Sequence, residues 1–350
     1  MKLVSIVGAR PQFVKVAPIS WRANGLCEHL IVNTGQHYDP LLSDVFFEEL
    51  NIPNPIYNIY SGSGTHAEQT AKILVGAEKI LQELKPDAIL IYGDTNSTLA
   101  AGLAAAKLGI KIGHIEAGLR SFNRAMPEEI NRVVSDHISE FLFAPTTTAV
   151  TNLKNEGLGK KTHLIGDIMV ETLAYVHEKA SAENSKINLQ PYIFSTIHRA
   201  ENTDSPARLA YIIERLSRSS IPVKLFAHPR LIRAAEEAKI SLEKGAISVF
   251  GPIPYESAIR EIINSVGVIS DSGGIQKESY LLGKPQLSIR GETEWVETLS
   301  GGWNRLDPNL DLIVTEWWTT PIKPIDGKIY GNGDASLKII SIIQETIAIA

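Results

Sequence analysis

An α/β fold with two Rossmann-like, doubly wound domains facing a cleft is what this sequence predicts, and three observations predict it. Short apolar runs alternate with longer segments of helical spacing almost from end to end, the pattern of strand-helix-strand units around parallel sheets. The alternation falls into two series, parted by the polar stretch 180–186. The chain has 350 residues, and domains run to about 150 residues each. The expected domains are 1–170 and 187–334, the helical segment 335–350 being free to pack back on the first.

In the first series, strands are expected at 3–7, 30–34, 88–92, 110–115, 141–144 and 163–165, where apolar residues run on without helical spacing. Between them, 14–22, 41–50, 66–84, 97–107, 128–139 and 148–156 repeat their apolar residues at helical intervals. The second series places strands at 192–197, 223–227, 247–250, 266–270 and 286–289, with helices at 206–217, 229–238, 255–264 and 274–282. No short fixed period recurs, which argues against a solenoid. In open parallel sheets ligands sit beyond the carboxyl ends of the strands, so motifs at those ends matter most.

Composition narrows the function. Against 34 Lys and Arg stand 39 Asp and Glu, a formal charge of −5 that argues against a nucleic-acid protein with a general basic field. The single cysteine, Cys27, allows no intrachain disulfide and no zinc-type cluster of its own, so a reducing, intracellular setting is expected. No apolar stretch nears the roughly 20 residues of a membrane span and no signal-peptide pattern opens the chain. A cytoplasmic protein with no membrane partner is the expectation.

Several strand ends carry groups suited to chemistry. Gly8-Ala-Arg-Pro-Gln12 puts Arg10 at a strand end, with Pro11 suited to a first helical turn, so a guanidinium and a helix N-terminus could share an anion. It is neither the dinucleotide glycine fingerprint nor the phosphate-loop lysine motif. Gly93-Asp-Thr-Asn-Ser-Thr98 offers Asp94, and His114-Ile-Glu-Ala-Gly-Leu-Arg120 offers Glu116. Met126-Pro-Glu-Glu-Ile-Asn-Arg132 opens a helix with Glu128. Capping, a solvated loop acid and the helix dipole each account for one of these acids alone. Three acids at successive strand ends or adjacent loops of one domain, however, can act together as acid and base. In the second domain His198 and Arg199 follow a strand, while Asp271-Ser-Gly-Gly-Ile-Gln-Lys-Glu278 lets backbone N–H groups of Gly273 and Gly274 approach a phosphate beside Ser272. Glu278 is spaced to accept from ribose hydroxyls, and Arg290 lies in a following loop rich in acids. A structural histidine and a plain turn are the alternatives.

Taken in order, GARPQ, GDTNST, HIEAGLR, MPEEINR, HRAEN, DSGGIQKE and RGETEWVE resemble the non-hydrolysing UDP-N-acetylglucosamine 2-epimerases from residue 3 to about residue 300. The resemblance implies a glycosyltransferase-B-type fold, a UDP-sugar substrate, no NAD, no other cofactor and no metal, and a homodimer. It implies inversion at C2 of the sugar by elimination and re-addition of UDP. By motif position it assigns Asp94, Glu116 and Glu128 as catalytic carboxylates and His198 as the histidine near the departing diphosphate. Arg10, Ser272, Gly273, Gly274 and Glu278 become UDP-binding, and Arg290 joins them. A glycosyltransferase of the same fold is the alternative. Departures are Asp39 in Gln36-His-Tyr-Asp39, Trp295-Val296, and Ser121-Phe-Asn123. They look more like relatives acting on UDP-2,3-diacetamido-2,3-dideoxyglucuronate, for whose carboxylate Arg120 or Arg124 would be the added cation.

Overall fold

The computed structural model describes residues 1–36, 47–182, 190–319 and 329–349. The chain divides into one unit of Met1–Tyr175 with Gly327–Ala350 and another of Val176–Asp326. The first series runs β1 (Lys2–Val7), α1 (Arg10–Ala23), β2 (Glu28–Asn33), β3 (Tyr57–Asn58), α2 (His66–Leu84), β4 (Ala88–Tyr92), α3 (Asn96–Lys107), β5 (Lys111–Ile115), α4 (Pro127–Ile138), β6 (Phe141–Ala144), α5 (Thr147–Asn155), β7 (Thr162–Leu164) and α6 (Met169–Ala182). The second runs β8 (Ile193–Thr196), α7 (Ala200–Thr203), α8 (Pro206–Leu216), β9 (Val223–Phe226), α9 (Pro229–Ala238), β10 (Ile247–Phe250), α10 (Tyr255–Asn264), β11 (Gly267–Ser270), α11 (Gly273–Leu281), β12 (Gln286–Ser288) and β13 (Asn304–Leu306). The last helix, α12 (Ala335–Ile349), belongs to the first unit.

Each unit holds one sheet, parallel at every described pairing, as the sequence predicts. The orders are β3-β2-β1-β4-β5-β6-β7 and β10-β9-β8-β11-β12-β13. Both are doubly wound, so the direction of winding reverses between β1 and β4 and again between β8 and β11. Strands such as β4, buried at every residue, are apolar throughout because helices cover both faces. Helix α3 lies close over its sheet because Ala100, Ala101, Ala104 and Ala105 face it with nothing bulkier than a methyl.

Several elements depart from the sequence reading: strands β3 and β13 and the short helix α7 had no counterpart in it. Helix α6 was not expected at all, and it continues into the stretch read as polar linker, of which 183–186 lie outside the described residues. Of the expected helix 41–50, only 47–50 are described, and of these 47–49 are helical. Helix α1 begins at Arg10, well before the apolar spacing starts at Val14, because Pro11 fits its first turn. Helix α12 packs on α1, Gln344 donating to the Leu26 carbonyl at 2.7 Å, and the Ser336 N–H donates to Glu171 of α6 at 2.8 Å.

Across the first sheet, Ser5 on β1 bonds both Tyr92 Oη on β4 (2.6 Å) and His29 Nε2 on β2 (2.8 Å). Burial pushes the His29 imidazole down from 6.5 to about 4. An unfolded chain takes that proton below about pH 6.5 and the folded chain resists it, so His29 leaves stability intact above 6.5 and removes it as pH falls toward 4. Between pH 6.5 and 5 the wild type is expected to lose about 1–2 kcal/mol of unfolding free energy that His29→Gln retains. Urea unfolding of both proteins at the two pH values measures the difference, and equal losses would refute it.

Candidate functional site

Where winding reverses, two strand ends diverge and their backbone groups lose sheet partners, leaving a crevice lined with unpaired N–H and C=O. In the first unit one buried side chain fills that gap. Gln12 Oε1 accepts from the N–H groups of Gly8 (2.8 Å) and Ala9 (3.1 Å), while Nε2 donates to the Tyr92 carbonyl (2.8 Å). Nε2 also reaches Thr95 and Thr98, both at 3.0 Å. The turn after β1 is thereby fastened to the turn after β4, with Arg10 half-buried at the first position of α1.

Asp94 and Glu116 follow neighbouring strands whose last residues, Tyr92 and Ile115, are paired. Asp94 Oδ2 accepts from Arg132 Nη2 at 2.6 Å, and Arg132 Nη1 donates to Glu129 at 3.0 Å. Glu116 is buried, forms an ion pair with Lys15 of α1, and holds φ +77°, a conformation uncommon for a side chain with a Cβ. Gly93 between these groups is itself at φ +63°, and a Cβ there would stand 3.1 Å from Lys15 Nζ and 3.2 Å from Glu116 Oε2. Glu128 is exposed in the first turn of α4, with no hydrogen bond or ion pair among the described residues.

Its neighbour Glu129 is the structural acid of that pair. It accepts from the N–H groups of Ser121 and Phe122, both at 2.9 Å, and from Arg132. Burial alone would raise its carboxyl, but these donors outweigh burial and hold it below the ordinary carboxylate range. The same bonds keep Phe122 at φ +58° with its ring in solvent. Arg120 corrects an expectation: its Nη2 lies 2.7 Å from Asp136 and its Nε 2.7 Å from Glu156, so it is a buried structural cation rather than a ligand for a uronate. Arg124 is exposed, with no ion pair among the described residues. Gln36 accepts from Ser97 N (3.0 Å) and Oγ (2.6 Å), and residues 37–39, Asp39 included, lie outside the described residues.

The second unit repeats the device with a carboxylate. Asp271, fully buried after β11, accepts from the N–H groups of His198 (3.1 Å) and Arg199 (3.0 Å) and from Asn202 Nδ2 (3.0 Å). His198 stands there with Nδ1 3.3 Å from Asp271 Oδ1 and its ring 40% exposed, 5.9 Å from the His228 ring. Beside it Ser272 caps α11, its Oγ accepting from Ile275 N, and Gly273 and Gly274 open the helix. Arg290, 2% exposed, gives Nη2 to Glu294 at 2.7 Å, while its Nε and Nη1 are buried without a hydrogen-bond partner among the described residues. Nη1 lies 3.6 Å and Glu294 Oε1 only 2.7 Å from where a Gly273 Cβ would stand, so the arginine faces the start of α11 and a side chain there would displace the Glu294 carboxylate. Glu278 is buried further along that helix. Trp295 is buried with Lys277 Nζ 4.0 Å from its ring centre, an ammonium stabilised on an indole face.

Every predicted site residue therefore stands at or just past the carboxyl ends of its sheet, Glu278 and Glu128 on the helices that follow. The sequence reading missed Lys15, Arg132, Gln12 and the bonding role of Asp271. Lys15 had a signal, since it is the one charge in the apolar run 13–17. Among the described residues no group of three or more His, Cys, Asp or Glu is placed to hold a metal ion, and no helix is long and apolar enough to cross a membrane.

The family model described as UDP-N-acetylglucosamine 2-epimerase matches residues 20–344. A protein of Methanococcus maripaludis named a UDP-N-acetylglucosamine 2-epimerase homolog is 43% identical, the match covering 98% of this chain and 99% of that one. The UDP-2,3-diacetamido-2,3-dideoxy-D-glucuronate 2-epimerase of Pseudomonas aeruginosa is also 43% identical, with 97% and 98% covered. The crystal structure of the Methanocaldococcus jannaschii UDP-GlcNAc 2-epimerase in complex with UDP-GlcNAc and UDP superposes with a TM-score of 0.90 at 36% identity, covering 99% of this chain and 100% of that one. These relatives disfavour the glycosyltransferase reading.

Gln12→Met keeps the length of the side chain but leaves the Gly8 and Ala9 N–H groups buried and unbonded. Urea unfolding is expected to show a loss of about 2–3 kcal/mol for this change, and a loss below about 0.5 kcal/mol would show that the amide does not hold the crevice together.

Proposed function

The chain belongs to the UDP-N-acetylglucosamine 2-epimerase family, and from that premise we propose that it inverts C2 of a UDP-linked N-acetylamino sugar. The substrate is UDP-N-acetylglucosamine or its 2,3-diacetamido-glucuronate counterpart, the two chemistries its 43% identical relatives are named for. The observation that carries the reading is Arg290, a buried cation with two nitrogens that have no hydrogen-bond partner among the described residues, one of them, Nη1, facing the glycine-opened start of a helix, which calls for an anionic ligand.

No carbonyl adjoins C2, so its hydrogen is not acidic and leaves only if the anomeric bond breaks with it. A carboxylate takes the C2 proton, the C–H electrons form the C1=C2 bond, and the C1–O electrons depart with UDP. Re-addition returns a proton to the opposite face of C2 while UDP attacks C1, so acids are needed on two faces. Asp94, Glu116 and Glu128 supply them, the first two held by Arg132 and Lys15 and the third without an ion pair among the described residues. The N–H groups of Gly273 and Gly274, with Arg290, offset the charge of the leaving diphosphate, and His198 serves beside it. Arg10 adds a cation, Ser272 a hydroxyl and Glu278 an acceptor for ribose. The same reading takes the enzyme to be a cytoplasmic homodimer with domains close to the two units described.

In deuterated water, NMR is expected to show deuterium entering C2 of one of the two UDP-sugars as its epimer forms. If neither exchanges, the epimerase reading fails. Asp94→Asn, Glu116→Gln and Glu128→Gln should each lower kcat by about 10²–10⁴-fold and leave UDP affinity near the wild-type value. Arg290→Met should weaken UDP binding about 10- to 100-fold by calorimetry.

A further inference from the structure

Beneath the acids of the first unit lies a cluster that touches none of their carboxylates and that the proposed chemistry does not use. His114, on β5, is wholly buried between two acceptors: Nδ1 is 2.6 Å from Asp136 Oδ1 and Nε2 is 2.7 Å from the Gly93 carbonyl. Asp136 sits on α4 and is wholly buried too. Its other oxygen accepts from Gly118 N at 3.1 Å and from Arg120 Nη2 at 2.7 Å. Burial would raise the Asp136 carboxyl, but His114 and Arg120 hold it below its ordinary value, so it stands ionised. A carbonyl oxygen only accepts, so His114 Nε2 is the donor to Gly93, and Nδ1 is the nitrogen that meets the Asp136 carboxylate.

The connections are specific to the acids. The Gly93 carbonyl belongs to the peptide joined to Asp94. Glu116 lies midway between His114 and Gly118, both tied to Asp136. Glu128 is on the same helix as Asp136, about two turns nearer its N-terminus. One buried carboxylate and one imidazole thus brace the backbone under all three proposed catalytic positions.

We propose that His114 is a positioning residue for the C2 chemistry: by donating from Nε2 to the Gly93 carbonyl while Asp136 fixes its ring, it sets Asp94 in register with Glu116. The bond to Gly93 acts on catalysis, and the bond to Asp136 acts on orientation and stability. The inference rests on the epimerase reading.

Two substitutions separate these bonds. In His114→Asn the amide nitrogen falls near the place of Nδ1 and can keep Asp136, leaving the Gly93 carbonyl unbonded. In His114→Gln it falls near Nε2 and can keep Gly93. The expected result is that His114→Asn lowers kcat about 100-fold with KM within about threefold of wild type, as a displacement of about 1 Å at a reacting group does. His114→Gln is expected to restore kcat to within about tenfold of wild type, though it lacks the bond to Asp136. Melting temperatures and UDP affinity of both variants, and wild-type C2 exchange in deuterated water, are measured alongside. If folded His114→Asn turns over like wild type, or if both variants lose kcat equally in step with their melting temperatures, the positioning role is overturned. If the wild type itself shows no C2 exchange, the epimerase reading falls and takes this inference with it.

Discussion

Everything at the candidate site depends on how two crevices are kept from collapsing. A doubly wound sheet leaves diverging strand ends with no mutual hydrogen bonds, and buried N–H groups left unbonded there would each cost about 1–3 kcal/mol. The chain meets this with one polar side chain per sheet: the amide of Gln12 in the first unit and the carboxylate of Asp271 in the second. The choice of group fits the need. Between β1 and β4 the groups to be met include both donors and a carbonyl, and an amide, with a donor and an acceptor on one group, serves both kinds. Between β8 and β11 the groups to be met are donors, from His198, Arg199 and Asn202, and a carboxylate accepts all of them.

With the backbone closed by these two groups, the charged side chains are free to be arranged for chemistry. In the first unit acids and cations alternate: Lys15 with Glu116, Arg132 between Asp94 and Glu129, Arg120 between Asp136 and Glu156. Stranding one partner of such a buried pair costs about 3–5 kcal/mol, so each cation fixes the place of its acid as well as its charge. Glu128 departs from this pattern, exposed where its neighbour Glu129 is buried. Two adjacent glutamates on one helix turn therefore have opposite duties, one to the fold and one available to a ligand.

The sheets were legible because buried parallel strands need continuous apolar runs, and 88–92 and 141–144 match their strands residue for residue. The motif residues were legible because loops at strand ends have few structural reasons to carry Asp, Glu, His and Arg together. The supporting shell was harder to read. Asp136, within Val-Val-Ser-Asp-His-Ile, looks like a solvated helix residue until β5 and the following loop supply His114, Arg120 and Gly118 from 16 to 22 residues away. Arg120 looked like a ligand for the same reason, since nothing local shows that Asp136 and Glu156 claim it. Helix α6 escaped notice because its chain runs straight on into a polar stretch, with no proline or glycine in 167–186 to mark where it ends.

The return of α12 to the first unit has a consequence for how the chain is born. Ile339, Ile340 and Ile343 bury themselves in a unit whose other elements are complete by Tyr175. On a ribosome adding about 5–20 residues per second, the nascent first unit would wait roughly ten to thirty seconds for that last helix while the whole second unit is made. Throughout that interval the surface of α1 that later receives α12 is open to other apolar chains, a window in which chaperones and the enzyme's own unfinished copies compete for it.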